Sequence, residues 1–296
     1  MVTALRSQDL VFTLYGDYLL GRRGPVWVGS LITLLGQLGL SSTGVRTVLS
    51  RMSRKGWLTA ERRGSRSYYG LTKRGRRLLE AGRERIYHPP RHEPWEGGWY
   101  LISYSIPESD RRRRDQLRVK LLWLGCGPLT NGLWLTPHDV RKEVEEIADS
   151  LKVLKHLEVF RAEHLGYSST EQLVAQCWDL PAINRRYAAF LDRWHPALDH
   201  CAECRLASSR KANGETFRPC TSPRGCFVRR FQLVHEYRAF PLEDPFLPAP
   251  LLPKNWKGDE AATLFDTYHA VLADSAERYV KDICDAGDAA DAESAA

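Results

Sequence analysis

The sequence predicts an α+β multidomain protein, with an N-terminal winged helix-turn-helix, a central ferredoxin-like domain and a helical C-terminal domain. An amphipathic helix near the N-terminus is followed by two short strands around a basic turn. The middle of the chain has the pattern βαββαβ, and most of the remainder has helical periodicity. The predicted segments are residues 1–87 for the first domain, 88–95 for a Pro-rich linker, 96–168 for the central domain, 169–284 for the C-terminal domain with a Cys-rich insert at 199–226, and 285–296 for a disordered tail.

A helix that begins after Leu40 and is ended by Gly56 is predicted to carry the DNA-contacting face of the first domain. Ser41 or Ser42 can cap its N-terminus. Two further helices precede it, at residues 7–21 and 29–39, so that a short turn separates the second helix from the third. Apolar residues recur at helical spacing and predict a buried face opposite the polar, basic one; they are Val45, Val48, Leu49 and Met52.

A basic hairpin is predicted directly after this helix. Residues 57–62 and 67–71 have the composition of short strands, and the turn between them is rich in arginine. Such a helix can enter the major groove while the turn contacts phosphates; a solvated basic surface is the alternative for either element alone. The residues expected to contact double-stranded operator DNA are Thr43, Arg46, Thr47, Ser50, Arg51, Arg54, Arg62, Arg63, Arg66, Ser67 and Tyr68.

The charge distribution favours the same interpretation. Residues 1–91 contain 17 Lys and Arg against five acidic residues, a net charge of +12, whereas the whole chain carries +7. The rest of the chain is therefore mildly acidic, with a net charge of −5. A basic domain joined to an acidic body is what neutralisation of DNA phosphates by that one domain requires.

The central and C-terminal domains are predicted from their periodicity. In the central domain, strands at 99–106, 127–129, 133–136 and 157–165 alternate with helices at 109–124 and 138–151. The C-terminal helices are predicted at 172–194 with a break at Pro181, 227–240 and 261–283. Five prolines between residues 241 and 253 exclude regular structure from the segment at 242–256.

The sequence contains seven cysteines, which we expect to be reduced thiols or metal ligands because no export signal precedes them. Cys201 and Cys204 have the spacing of a zinc knuckle, and Cys220 and Cys226 follow at a wider spacing. These four predict a structural zinc site. A redox-responsive or iron–sulfur centre and unlinked thiols are the alternatives.

Short strings with a distinctive order are distributed along nearly the whole chain. They are TLYGD at 13–17, VRT at 45–47, SR at 50–51, GWL at 56–58, GSRSYY at 64–69, LT at 71–72, HEYR at 235–238, DP at 244–245, LP at 247–248 and LLPKNW at 251–256. The last four are the most specific. Together these strings resemble the PaaX family, which consists of repressors of phenylacetate-degradation operons.

This resemblance implies a dimeric repressor of a catabolic operon for an aromatic acid, phenylacetate or one like it. Such a repressor leaves its operator when it binds an aryl-CoA thioester as effector. His235, Tyr237 and Arg238 are the candidate effector-binding residues. Alternatively, Arg238 forms an ion pair with Asp244 and holds the proline-rich segment against a helix.

The central segment also resembles the small ferredoxin-like nucleases associated with CRISPR loci. In those proteins an Asp at the end of the first strand binds the catalytic metal, and Ser105 stands at the matching position here. A hydroxyl group cannot replace a carboxylate in holding a divalent cation for phosphodiester hydrolysis. We therefore expect a dimerisation and coupling domain, and no enzymatic activity.

Two alternatives to an effector-released repressor remain at this point. One is a metal- or redox-responsive regulator that senses through the cysteine cluster, and the less favoured one is a metal-dependent nuclease anchored by the basic domain. No apolar run has the length of a membrane span. We expect a cytoplasmic protein that does not bind membranes.

Overall fold

The computed structural model describes residues 7–89, 94–210 and 222–295, and for 202–210 and 290–295 it describes the backbone only. The described residues form two compact units. The first unit draws on Met1–His88, Phe190–Arg238 and Glu260–Ala296, and the second on Pro89–Ala189 and Ala239–Asp259. Both units contain parts of the predicted C-terminal domain.

The N-terminal part of the first unit contains four helices and a small sheet. Helix α1 (Ser7–Leu14) continues into a π-helical turn (Tyr15–Leu19), and the elements that follow are β1 (Val26–Trp27), α2 (Val28–Gly36), α3 (Ser42–Arg54), β2 (Leu58–Arg63), β3 (Arg66–Leu71) and α4 (Lys73–Tyr87). Each helix and strand predicted in this region is present, with ends that differ by a few residues.

The three strands form an antiparallel sheet in the order β1-β3-β2. Arg63 pairs with Arg66, so the hairpin turn consists of two residues. Gly64, the first of them, has a φ of 55°, a left-handed conformation that glycine adopts without strain and that short hairpin turns require. The sequence RGSR at residues 63–66 therefore places one arginine on each side of a tight turn.

The amphipathic pattern of α3 determines its orientation. Val45, Leu49 and Met52 have no exposed surface, and α3 packs with them against α1 and α2. Ser41 caps the helix, because its side chain accepts a hydrogen bond of 3.1 Å from the Gly44 N–H. The polar face is consequently directed to solvent, as predicted.

Three long helices belong wholly or partly to the first unit. They are the later residues of α8 (Leu180–Arg210), α9 (Pro223–Tyr237) and α11 (Gly258–Ala295). Helix α8 passes through Pro196 and includes Cys201, so the predicted Cys-rich insert at 199–226 begins as helix. Cys226 lies in the first turn of α9.

The C-terminal tail corrects a prediction. Residues 285–295 continue helix α11, where the Ala, Asp and Gly composition predicted disorder. Gly287 is buried against the N-terminal part of the same unit, and a Cβ atom there would lie 2.6 Å from the Ser30 Oγ. Arg22 forms ion pairs with Asp285 and Asp288. These contacts supply the packing that the composition alone does not indicate.

The second unit contains a βαββαβ segment, as predicted. Its elements are β4 (Gly98–Tyr104), α5 (Arg111–Trp123), β5 (Gly127–Thr130), β6 (Leu133–Thr136), α6 (Arg141–Ser150) and β7 (Leu157–Glu163). All neighbouring strands are antiparallel, in the order β5-β6-β4-β7, which is the topology of a ferredoxin-like domain. Ser105 directly follows β4, and its N–H donates to the His156 carbonyl.

The sheet of the second unit is apolar on both faces. Ile102 and Trp134 pack with α5 and α6 on one face, whereas Trp99 and Leu135 form a second core on the other. This second core is completed by α7 (Thr170–Cys177), the start of α8 and the proline-rich segment after α10 (Phe240–Glu243). Residues beyond 168 belong to this unit because they bury the second apolar face of the sheet.

Candidate nucleic-acid interface

The outward face of α3 presents six of the predicted DNA contacts to solvent. All are exposed, and they occupy one side of the helix because they alternate with its buried residues; they are Thr43, Arg46, Thr47, Ser50, Arg51 and Arg54. Three guanidinium groups on one helical face produce a concentrated positive charge. Such a face can contact both base edges and phosphates.

The hairpin β2–β3 adds two exposed arginines. Arg62 donates a hydrogen bond from its Nε to the Gly64 carbonyl at 3.2 Å, which orders the side chain beside the turn. Arg63 forms an ion pair of 2.8 Å with Glu61, and its guanidinium lies 4.6 Å from the centre of the Tyr68 ring. The Glu61 pair is open to solvent, where water and salt weaken the attraction between the two charges. Both arginines remain accessible to a phosphate.

The three other predicted hairpin residues have different surroundings. Tyr68 has no exposed surface, so its prediction as a direct DNA contact is wrong: it lies on the core side of the sheet, opposite Trp27. Arg66 is half-buried over the Trp27 ring, at 4.8 Å, and its Nη1 lies 3.4 Å from the Gly287 carbonyl oxygen. Ser67, at the edge of the turn, is half-buried.

A buried charged cluster lies in the same unit, centred on Asp17. Arg230 of α9 forms a bidentate pair with this carboxylate, with both N···O distances at 3.1 Å. His269 Nε2 lies 3.0 Å from Oδ1, and the Tyr87 hydroxyl donates to the same oxygen at 2.8 Å. Arg230 also donates to Glu277 at 2.7 Å. The cluster therefore joins the π-helical turn to α4, α9 and α11.

The electrostatics of this cluster favour the ionised carboxylate. Burial alone would raise the pKa of Asp17, but the hydrogen bond from His269 and the positive charge of Arg230 outweigh it and lower the pKa below its usual value of 3.8. Burial raises the pKa of Tyr87, and the proximity of the Asp17 carboxylate adds to this effect. Asp17 thus accepts hydrogen bonds from three side chains while almost fully removed from water.

The sequence pointed to this cluster only indirectly. Asp17 ends the TLYGD string, but its composition does not reveal a role. Arg230 interrupts the buried face of α9 between Phe227 and Phe231, and a lone arginine among buried positions is a usable signal for an internal ion pair. Its partner is 213 residues away in the sequence, so no local pattern could identify it.

The three predicted effector-binding residues contact other parts of the first unit. His235 Nδ1 lies 2.8 Å from the Thr13 Oγ1, and Arg238 forms an ion pair of 3.7 Å with Asp9. Tyr237 is buried and stacks on Phe265 with 3.9 Å between ring centres. These contacts give all three residues a structural role at the C-terminal end of α9. Their contact with an effector stays a prediction.

Arg238 and Asp244 thus have separate partners among the described residues. Asp244 belongs to the second unit, where it accepts a hydrogen bond of 2.7 Å from the Tyr187 hydroxyl and another from the Phe246 N–H. The Asp9 contact of Arg238 holds α1 instead of the proline-rich segment.

The cysteine cluster is only partly described. Cys201 is buried, and its Sγ lies 3.6 Å from an Arg229 nitrogen and 3.7 Å from the Tyr268 hydroxyl. Cys226 is also buried. The side chain of Cys204 and the whole of Cys220 lie outside the described residues, so the zinc site stays a prediction. No group of three or more potential metal ligands occurs among the residues that the structure does describe.

Comparison with known families divides the chain into three matched segments. Residues 6–75 match the family described as PaaX-like protein, residues 92–174 the PaaX protein central Cas2-like domain, and residues 178–282 the PaaX-like protein C-terminal domain. None of the helices among the described residues is long and apolar enough to cross a membrane.

A curated relative and a solved structure extend this result. The transcriptional repressor PaaX of Escherichia coli (strain K12) is 31% identical over 278 residues, which are 93% of this chain and 83% of the relative. The uncharacterized protein Rv0674 from Mycobacterium tuberculosis shares the fold, with a TM-score of 0.58 and 21% identity over 94% of this chain and 100% of that one. This chain belongs to the PaaX family of transcriptional repressors.

Proposed function

We propose that this protein is a sequence-specific DNA-binding repressor whose residues 7–87 act as a winged helix-turn-helix. The observation that carries the proposal is the exposed basic face of α3, followed immediately by a tight hairpin with arginines at its turn. In this class of domain the second helix of the pair enters the major groove and the hairpin contacts the backbone. Membership of a repressor family supports the same assignment.

The exposed residues divide into two groups according to the part of the DNA that each contacts in the proposed complex. Arg46, Thr47, Ser50 and Arg51 lie along the middle of the α3 face and contact base edges in the proposed complex. Arg62 and Arg63 flank the hairpin turn and contact phosphates, which contribute affinity without sequence information. This division predicts different consequences for substitution in each group.

The proposed active form is a homodimer that binds a two-fold symmetric operator. The central domain offers a surface for this contact, because α5 exposes the apolar side chains of Val119 (67%), Leu122 (54%) and Trp123 (37%) to solvent. Exposed apolar residues this close together are typical of a surface covered by a partner. A second copy of the chain fits this role because two identical basic domains are needed to read two half-sites.

The proposed physiological role is repression of an operon for degradation of phenylacetate or a related aromatic acid. An aryl-CoA thioester produced from that acid is the proposed effector. Binding of this thioester releases the repressor from its operator when the substrate of the pathway is present. Support for this role comes from the family, to which the E. coli repressor also belongs.

The test is footprinting of the DNA upstream of the gene and its neighbours, at fixed near-physiological salt, with and without a panel of acyl-CoA thioesters. We expect a discrete, two-fold symmetric footprint that one aryl-CoA thioester removes. Fixed salt matters because phosphate contacts make affinity strongly salt-dependent. No protected site at any concentration would contradict specific DNA binding, and a footprint indifferent to every thioester would contradict the effector.

A further inference from the structure

The second unit contains a cleft of about 750 Å³ that none of the roles described above uses. One wall consists of α7 and the first residues of α8, and the other of the proline-rich segment 249–256, with Asp259 at the start of α11. This volume lies within the range of pockets that bind small organic ligands, about 300–1,000 Å³. The cleft is therefore large enough for a ring system with an attached chain.

The lining of the cleft is mostly apolar and partly aromatic. Trp178 and Trp256 contribute indole rings, and the aliphatic and proline residues around them include Val174, Leu251 and Pro250. Such flat surfaces suit an aromatic ring, which stacks on indole and proline with little loss of its own freedom. The charged residues at the cleft are Glu171, Lys254 and Asp259, whose net charge is −1. The lining therefore selects an uncharged ring and does not form a cradle for several phosphates.

Hydrogen bonds hold the two walls in place. The Trp178 indole N–H donates to the Gly125 carbonyl at 3.1 Å, which fixes one ring from behind. Asn184 of α8 donates to the Asn255 carbonyl at 3.2 Å and accepts from the Lys257 N–H at 2.7 Å. One side chain thus connects α8 to the proline-rich segment on both sides of Trp256. Because the walls of the cleft are already ordered, little free energy is needed to order them when a ligand binds.

We propose that this cleft binds the aromatic acyl group of a small-molecule ligand. The inference rests on the proposed function, because it assigns the effector of that repressor to a place in the structure. It also moves ligand recognition away from the HEYR string, whose His235 and Arg238 have partners within the first unit. Both walls are continuous in the chain with helices α8 and α11, whose later residues belong to the unit that carries the DNA-contacting face.

The experiment is calorimetric titration of the full-length protein with phenylacetyl-CoA, phenylacetate and acetyl-CoA. Ala175 is exposed on α7 and lines the cleft, so Ala175→Trp fills the cleft from a position that does not belong to the core. Gln176→Trp is the matched control, because Gln176 is exposed on the same helix but is not part of the lining. Pro250→Trp fills the cleft from the opposite wall and repeats the test if Ala175→Trp does not fold.

We expect saturable binding of phenylacetyl-CoA to the wild type and to Gln176→Trp, and at least tenfold weaker binding to Ala175→Trp and Pro250→Trp. Acetyl-CoA should bind at least tenfold more weakly than phenylacetyl-CoA to the wild type. Equal affinity of the wild type and a folded cleft-filling variant would overturn the proposal. Equal affinity for acetyl-CoA, or no binding of either phenyl compound, would overturn it as well.

Operator binding without ligand is measured on the same proteins. Its absence in the wild type would refute the proposed DNA-binding function, whereas the calorimetric result would still decide where the aromatic ligand binds. Retained operator binding by Ala175→Trp, together with failure of phenylacetyl-CoA to release it, would support both proposals.

Discussion

Two arginine-containing regions of the first unit differ in nearly every physical respect. On α3, Arg46, Arg51 and Arg54 are exposed to water on one helical face. In the interior, Arg230 is 3% exposed and bound to the buried carboxylate of Asp17 and to Glu277. The exposed residues contribute little to folding and are free to meet a ligand. The interior residue contributes to folding only as long as its partner remains.

This difference shows that the surroundings, and not the residue type, assign the role of each arginine. Water already solvates the α3 guanidinium groups, so exchange of water for a phosphate or a base costs little. Arg230 has given up that hydration, and its charge is neutralised by two carboxylates from different helices. One region is thus suited to reversible contact, and the other to a fixed arrangement of helices.

The largest expected effect is on the interior region. Arg230→Met leaves Asp17 buried without its bidentate partner, and we expect a loss of about 3–5 kcal/mol in the free energy of unfolding. Arg51→Met is the matched control, with an expected change within about 0.5 kcal/mol. Urea unfolding followed by circular dichroism measures both. A change below about 1 kcal/mol for Arg230→Met would mean that the cluster does not hold the helices together.

The second effect concerns the exposed region. Arg46→Ala should reduce the preference for operator over random DNA by about 1–3 kcal/mol, because a side chain at a base edge carries sequence information. The free energy of unfolding should stay within about 0.5 kcal/mol of the wild type. Competition binding at fixed salt measures the preference. An equal loss of affinity for operator and random DNA would place Arg46 at a phosphate.

The third effect is the pH dependence of the free energy of unfolding, to which the half-buried His235 of the first unit contributes. Burial, assisted by the charge of Arg238, lowers the pKa of His235 to about 4 from 6.5. Between pH 6.5 and 4 the unfolded chain therefore binds a proton at this position and the folded chain does not. The stabilisation is complete above pH 6.5 and is lost as the pH falls towards 4. We expect His235 to account for a loss of about 1–2 kcal/mol in the free energy of unfolding over this pH range. This is less than the full pKa shift implies, because the ring is partly solvated.

Urea unfolding at pH 7.5, 6 and 5 tests this expectation by comparison of the wild type with His235→Asn. The variant should lose less stability between pH 7.5 and 5 than the wild type. Asp17 does not affect the comparison, because its lowered pKa makes its contribution to stability complete above the ordinary pKa of 3.8, and that contribution is lost only at lower pH. Identical pH dependence in both proteins would show that His235 is readily protonated in the folded state.

The smallest expected effect on specificity belongs to the hairpin. Arg63→Ala should weaken binding to operator and random DNA alike and should reduce the slope of log affinity against log salt by about 1. Loss of the ion pair with Glu61 should have little effect on the free energy of unfolding, because both side chains are exposed to solvent. A change in sequence preference without a change in slope would assign Arg63 to a base and not to a phosphate.

The same comparison explains which parts could be predicted from the sequence. The polar face of α3 could be predicted because the buried side of this 13-residue helix is marked by Val45, Val48, Leu49 and Met52. The hairpin was predicted from its composition, but the composition did not show which side chains of β3 face the core. Strand alternation separates Tyr68 from Ser67 without deciding which of the two is covered by Trp27.

The helical tail and the full extent of the second unit could not be predicted from the sequence, for related reasons. Composition indicated disorder after residue 284, yet the close approach of Gly287 to Ser30 and the ion pairs of Arg22 keep this segment in α11. Periodicity indicated strand β4, but it did not show that the second apolar face of the sheet recruits α7 and the proline-rich segment. Each outcome depends on groups that are distant in sequence.

The sequence by itself determined the helices and strands, the basic face of α3, the βαββαβ order of the central domain and the family. These features depend on patterns a few residues long, on capping side chains such as Ser41, and on the local density of charge. Only the tertiary structure decided that Asp17 meets Arg230, that Arg66 turns towards Gly287 and that a cleft opens beside Trp256. Burial and ion pairing between distant segments have no local signature, because they depend on which surfaces the folded chain brings together.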